Sequence, residues 1–558
     1  MNIKVIKAGK EFVFQGKTNF SLLEQLREQN IYMNAVCSGK GSCGKCRIQM
    51  LSGVTEPDDI EHQFFDKKEL AAGFRLACRT FPQNDCSIIV ETFEETAFQA
   101  VAEYFVEKKA NMSENIYTQS MSENFRQRKS CDIQQELVYT QPISEEVYVI
   151  AIDLGTTTIA MELIEKNTGH ILHTLTMLNR QRMYGADVVS RIQAANAGKG
   201  KELQDSICED LYQGIKKLIK EYKVNPQTVK EIGIAGNTTM GHLLMGYSCK
   251  TLGVYPFTPV NIETIAKEFR ELFWKQQQNE GMAALDIEAK VILLPGISAY
   301  VGADIVAGIL ACHIDKKEKP CMLIDLGTNG EMVIGNREKI LVTSVAAGPA
   351  FEGGNISCGM GSVLGAIHKV SLEAGQIQLE TIGNKGPLGL CGTGVIETVC
   401  ELLKEKIVDE TGMFSEEFIE DGFLLEKTLD GKELRFTQKD VREIQLAKSA
   451  VRAGIETLLK HYDTTYEEID EVFLAGGFGY EINIEKTMAI GMLPKEFQGK
   501  IKIVGNSSLG GTTKYLIEAD AIERCQEMRK KVQEVELSLD TNFTDCYMKY
   551  MFFGNYSE

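Results

Sequence analysis

Two stretches, "YVIAIDLGTTTIAMELI" (Tyr148–Ile164) and "CMLIDLGTNGEMVIG" (Cys321–Gly335), are written to one plan. An apolar run of strand length meets Asp-Leu-Gly-Thr and is followed by a second apolar run, so each stretch reads as a buried hairpin. The aspartate ends the first strand, and the glycine and threonines turn the chain tightly with N–H and hydroxyl donors facing outward. Donors so arranged bind phosphate, and a carboxylate beside them holds Mg²⁺ through water or orients an attacking water. Asp153 with Gly155, Thr156 and Thr157 fits that role, as does Asp325 with Gly327, Thr328, Asn329 and Gly330. One Asp-x-Gly turn is a common way to join strands. Two copies on apolar strands predict two related lobes, each opening with the same hairpin.

Downstream, "EVFLAGGFG" (Glu471–Gly479) is a strand running into a glycine turn, which lets backbone approach a flat ring or a sugar. Gly476, Gly477 and Phe478 are its candidate contacts. Before it, residues 440–462 carry Val441, Ile444, Val451, Ile455 and Leu458 at helical spacing, a core-facing stripe. Three other places carry two readings each. Asn237 and Thr238 sit at a strand-to-helix turn that either reaches a ligand or packs the lobes, and Asp304 is either an ordinary first-turn helix acid or a cleft acid. Glu352 belongs to a glycine-rich loop that lines the cleft near nucleotide or partner. From Val147 onward apolar strands alternate with helices, the pattern of an α/β fold. We divide this part into a first lobe of about 147–318, a second of about 319–535, and a C-terminal extension, 536–558.

The N-terminal region, 1–91, is different: short strands, one helix opened by a Ser21–Glu24 capping box, and the loop "CSGKGSCGKC" (Cys37–Cys46). Cys37, Cys43 and Cys46 have the spacing C-x5-C-x2-C, and Cys78 follows later. Glycines at 39, 41 and 44 allow backbone N–H groups to face the sulfurs. Four thiolates suit an iron–sulfur cluster or a structural zinc, but zinc sites normally use two close pairs, and only one exists here. Cys86 reads as a buried strand residue. Residues 92–146 turn polar and read as a linker, part helical around Phe98–Lys109.

At 558 residues the chain exceeds one core, and its 44% hydrophobic content is that of a soluble globular protein. The net charge of −18 argues against nucleic acid as a partner. No apolar run of membrane length and no basic-then-apolar leader are present, so the expectation is a cytoplasmic protein without a membrane partner. In that compartment the remaining scattered cysteines stay reduced, and Cys358 and Cys391 read as structural. The histidines show no paired metal pattern.

Residues 1–91 resemble a β-grasp 2Fe-2S ferredoxin, which implies a one-electron carrier ligated by Cys37, Cys43, Cys46 and Cys78. The phosphate turn, second phosphate turn and glycine turn, in that order, resemble the acetate and sugar kinase, Hsp70 and actin superfamily. That resemblance implies an actin-like ATPase fold with ATP-Mg²⁺ in a closing cleft, and Asp153 and Asp325 facing the metal and γ-phosphate. The whole combination, with "YGADVVSRI" (Tyr184–Ile192), "GNTTM" and "VGAD" between the turns, resembles the reductive activators of corrinoid proteins of anaerobic methyl-transfer systems. The activity implied is ATP-dependent reduction of Co(II) to Co(I) on a separate corrinoid protein, fed by an external low-potential donor. A homodimer is an open expectation, and the alternatives are a cluster-based redox sensor or a small-molecule kinase.

Overall fold

The computed structural model of the chain describes residues 1–7, 9–29, 31, 33, 39, 41, 44–90, 146–373, 375–428, 431–476 and 482–554. Strand β1 (Asn2–Lys7) turns Ile3 and Val5 inward and pairs antiparallel with β2 (Lys10–Gln15). With β3 (Arg47–Ser52), β4 (Phe74–Leu76) and β5 (Cys86–Val90) it forms a five-stranded sheet in the order β2-β1-β5-β3-β4. Helix Leu22–Glu28 buries Leu22, Leu23 and Leu26 against this sheet. Its capping box forms as the sequence expects: the Glu24 N–H donates to Ser21 Oγ at 3.3 Å and the Ser21 N–H donates to Glu24 Oε2 at 2.8 Å. The expected linker and its helix around Phe98–Lys109 lie outside the described residues, Glu146 excepted.

Both Asp-Gly-Thr stretches are antiparallel hairpins. In the first lobe β6 (Tyr148–Leu154), β7 (Thr158–Glu165) and β8 (His170–Leu178) form a meander, and β9 (Val229–Gly236) runs parallel beside β6. β10 (Ile265–Glu268) and β11 (Lys290–Leu293) extend it to the order β10-β11-β9-β6-β7-β8. In the second lobe β12 (Cys321–Leu326), β13 (Gly330–Gly335) and β14 (Ile340–Val345) repeat the meander. Two small sheets are inserted after it, one of β15 (Ala366–Glu373), β16 (Gln376–Thr381) and β17 (Gly389–Leu390), the other of β18 (Phe423–Lys427) and β19 (Glu433–Phe436). Then β20 (Val472–Ala475) lies parallel beside β12, β21 (Ile501–Gly505) beside β20, and β22 (Val532–Glu534) beside β14. Reading outward from either meander gives the same five-strand order and directions, so the internal echo in the sequence is a structural duplication.

The long amphipathic segment is helix Gln438–Tyr462, with Val441, Ile444, Val451, Ile455 and Leu458 fully buried. Residues past 535 are fastened to it: Leu537 and Phe553 join the second-lobe core, and Lys448 Nζ donates to the Tyr550 and Phe552 carbonyls, each at 2.6 Å. The start of helix Gly392–Lys404 packs closely, since a Cβ on Gly394 would lie 2.1 Å from the Ile367 carbonyl oxygen. Among the described residues no helix is long and apolar enough to cross a membrane.

Between the lobes, helix Ala303–Cys312, which follows β11, crosses helix Ser507–Ile517, which follows β21. The crossing is close because both helices present glycine. A Cβ on Gly511 would lie 1.8 Å from the Ala307 carbonyl oxygen, and one on Gly308 would lie 3.1 Å from Ser507 Oγ. Gly511→Ala therefore forces the helices apart, with an expected loss on the order of 3 kcal/mol from overpacking. Gly200→Ala, in helix Gly200–Glu221 with no neighbour nearer than 3.9 Å, is the control and leaves the midpoint of thermal unfolding unchanged or slightly raised.

Candidate functional site

The start of helix Ser507–Ile517 holds aspartates from both lobes. Asn506 Nδ2 donates to Asp153 Oδ2 at 2.9 Å and Ser508 Oγ donates to Asp153 Oδ1 at 2.7 Å, while Ser507 Oγ donates to Asp325 Oδ2 at 3.3 Å. Asn506 is fixed in turn, because its Oδ1 caps the Leu509 N–H. None of these three residues stands out in the sequence by type. Their signal is that "GNSSLGG" (Gly505–Gly511) repeats the device of "GNTTMG" (Gly236–Gly241), a strand ending in Gly-Asn with the asparagine capping a helix. In that earlier copy Asn237 Nδ2 donates to Thr156 Oγ1 at 2.9 Å and Thr238 Oγ1 donates to the Ser298 carbonyl at 2.6 Å. Asn237 thus reaches the first turn rather than only packing the lobe.

The first turn is held from behind. Asn179 Nδ2 donates to the Gly155 carbonyl at 3.0 Å, its N–H donates to the Thr157 carbonyl at 3.0 Å, and the buried Arg191 donates to the Thr156 carbonyl. At the second turn the Gly327 N–H donates to the Asn329 carbonyl at 2.9 Å, and Gly330 enters β13. Gly476 follows β20 in a left-handed conformation, and a Cβ there would lie 2.3 Å from the Leu326 carbonyl oxygen and 2.9 Å from Asp325 Oδ1. The glycine turn is thereby pressed onto the second phosphate turn. Gly477 and Phe478 lie outside the described residues.

Asp304 sits in the first turn of its helix, near enough to Asp325 and Asp153 for their charges to act on its carboxyl. Glu331, the residue after Gly330, accepts from Ser344 Oγ at 3.3 Å and joins the same group. Burial pushes all four carboxyls up. For Asp153 the hydrogen bonds from Ser508 and Asn506 oppose the shift, whereas the Asp153 charge helps raise Asp325 to about 7. Asp304 and Glu331 are raised by burial and then by their carboxylate neighbours. Glu352 crosses the cleft: Thr328 Oγ1 donates to its two oxygens at 3.2 and 3.3 Å, and Thr157 Oγ1 of the other lobe lies 3.5 Å from Oε2.

In the N-terminal domain, Cys46 Sγ and Cys78 Sγ lie 3.3 Å apart. Two thiolates on one tetrahedral metal, with bonds of about 2.3 Å, sit about 3.7 Å apart, so this pair fits a shared iron. Gly39, Gly41 and Gly44 all adopt positive φ (92°, 81° and 63°), and a Cβ on Gly44 would lie 2.4 Å from the Phe64 ring. The loop is therefore glycine-shaped where the sequence places the cluster. Cys37 and Cys43 lie outside the described residues, and Cys86 is a buried β5 residue as expected.

The raised carboxyls carry a pH signature. A carboxyl that binds its proton more tightly when folded contributes most below its unfolded value of about 4, and the contribution is lost as pH rises toward about 7 for Asp325. Nucleotide-free protein should accordingly unfold at lower temperature at pH 8 than at pH 5. Asp325→Asn should raise the pH 8 midpoint by a few degrees and matter less at pH 5. Scanning calorimetry checks both, and an unchanged pH 8 midpoint in the variant contradicts the crowding.

Family models match the chain in three consecutive blocks: a 2Fe-2S iron-sulfur cluster binding domain over 5–83, the RACo middle region over 148–317, and the C-terminal ASKHA domain of RACo over 319–558. The chain is 28% identical to the corrinoid activation enzyme RamQ of Eubacterium limosum, over 94% of each chain. It is 25% identical to a Co(II) methylated amine-specific corrinoid protein reductase of Methanosarcina barkeri, over 72% of this chain and 77% of that one. Among solved structures, a reductive activator for corrinoid, iron-sulfur protein superposes with a TM-score of 0.67 at 27% identity, covering 99% of this chain and 98% of its own. With its 2Fe-2S, middle and ASKHA regions matched in order, the chain belongs to the family of corrinoid reductive activators that these models and relatives represent.

Proposed function

We propose that this protein couples ATP binding and hydrolysis to the one-electron reduction of a corrinoid protein in the cytoplasm, taking Co(II) to Co(I). The observation that carries the reading is the pair of duplicated Asp-Gly-Thr turns joined through one helix start, in a chain whose N-terminal domain is of 2Fe-2S type. When bound to Cys37, Cys43, Cys46 and Cys78, a 2Fe-2S cluster supplies one-electron transfer at a potential near about −400 mV.

In this reading the donors of Gly155, Thr156 and Thr157 face one side of the triphosphate, and those of Gly327, Thr328, Asn329 and Gly330 face the other. Asp153 and Asp325 would hold Mg²⁺, whose charge would offset the repulsion among the four buried carboxylates. Gly476, with Gly477 and Phe478, lets the backbone approach the adenosine. Because each lobe supplies one turn, nucleotide binds the closed arrangement better than the open one, and that difference favours the state that grips the partner. Moving one electron against a further 100 mV costs roughly 2.3 kcal/mol, within reach of such a difference. An external low-potential donor keeps the protein reduced.

The test is an anaerobic optical titration of reconstituted protein with a Co(II) corrinoid protein and reductant. A Co(I) band that grows only with ATP supports the proposal, and growth that ignores ATP refutes it. Asp325→Ala should lower ATP turnover by roughly 100-fold or more while leaving the cluster absorption intact. Turnover that survives removes Asp325 from the site.

A further inference from the structure

A cation of the 2Fe-2S-type domain lies against the first lobe. Arg27, in the last turn of helix Leu22–Glu28, places its guanidinium 5.8 Å from the ring centre of Tyr184. Its Nε and Nη2 are buried and find no hydrogen-bond partner among the described residues. Guanidinium N–H groups buried without hydrogen bonds are costly unless a counter-charge lies near. Among the described residues, Cys46 and Cys78 follow Tyr184 and Glu24 in acting on the Arg27 charge. The helix is seated on the Cys78 segment itself, since the Leu23 N–H donates to the Ala77 carbonyl at 3.0 Å and the Leu22 N–H to the Thr80 carbonyl at 2.8 Å. A cluster held by four thiolates carries net negative charge, which adds to Glu24 a second counter-charge for Arg27.

Tyr184 belongs to a segment that also reaches the nucleotide turn. It ends the 3-10 helix Arg180–Met183, directly after Asn179 and shortly before Arg191, whose side chains hold the Gly155 and Thr156 carbonyls. Arg182, in the same short helix, acts electrostatically on Glu352, the carboxylate that bridges Thr157 and Thr328. Hydrogen bonds and one short helix thus join the first turn to Tyr184.

We propose that Arg27 is a positioning residue for the cluster, raising its reduction potential while docked on Tyr184, and that the Asn179–Arg191 segment lets nucleotide at the first turn change that potential. A fixed positive charge stabilises the reduced, more negative cluster. Loosening the Arg27–Tyr184 contact exposes the guanidinium to water, screens it, and makes the stored electron easier to give away. The nucleotide limb rests on the ATP reading above, and direct nucleotide binding checks that reading separately.

The experiment is an EPR-monitored redox titration of the full reconstituted chain, with and without a non-hydrolysable ATP analogue and Mg²⁺, alongside fluorescence measurement of analogue binding. Arg27→Gln should lower the cluster's electron affinity about tenfold, roughly 59 mV for one electron, while Arg27→Lys stays near the parent. Tyr184→Ala, whose substitution lies outside the cluster domain, should move the potential in the same direction even if Arg27 variants lose the cluster. Bound analogue should shift the parent potential and leave that of Tyr184→Ala unmoved. A parent potential in Arg27→Gln, an equal fall in Arg27→Lys, or an unmoved parent potential with analogue demonstrably bound overturns the proposal. Failure of the analogue to bind would instead strike the ATP reading.

Discussion

The approach of Gly511 to the Ala307 backbone is the contact on which the site depends. It brings the start of one helix, Asn506, Ser507 and Ser508, between two strand ends that are far apart in sequence, and it brings Asp304 to the same place from the other helix. A side chain larger than hydrogen at Gly511 would separate the helices and with them Asp153 and Asp325. Small residues at a crossing usually serve packing alone; here they also set the spacing of acids from two lobes.

Electrostatics follow from that geometry. Bringing Asp153, Asp304, Asp325 and Glu331 together in a buried place costs stability, which is why their carboxyls are pushed up. Glu352 adds a carboxylate that bonds to Thr328 and reaches Thr157, so the facing turns are already bridged by an anion's oxygens. A cation-bound phosphate answers both features, because it neutralises the acids and offers more oxygens to the same hydroxyls. Strain of this kind is common where a ligand is meant to complete the structure.

Much of this arrangement is legible in the sequence, for identifiable reasons. Apolar runs flanking Asp-Leu-Gly-Thr fix strand, turn and strand locally, so the duplicated hairpins can be read without knowing the fold, as can the Ser21–Glu24 capping box and the buried stripe of helix Gln438–Tyr462. Asn506, Ser507 and Ser508 could not be read that way, since their role exists only once the helices cross. Asp304 was undecidable for the same reason: its helix position is local, but its neighbours come from β6 and β12. Residues 536–558 read in the sequence only as a C-terminal extension, yet Leu537 and Phe553 join the second-lobe core, and the segment is held in part by the buried Lys448, whose charge gives no hint of such a place.

The central claim is that the two turns form one phosphate site. The most direct measurement is a crystal structure of the full chain with Mg²⁺ and a non-hydrolysable ATP analogue. The expected result is a polyphosphate between residues 155–157 and 327–330, with the cation on the Asp153 and Asp325 side and Glu352 moved off at least one threonine. A nucleotide bound against one turn only, with Glu352 still spanning Thr157 and Thr328, would contradict it.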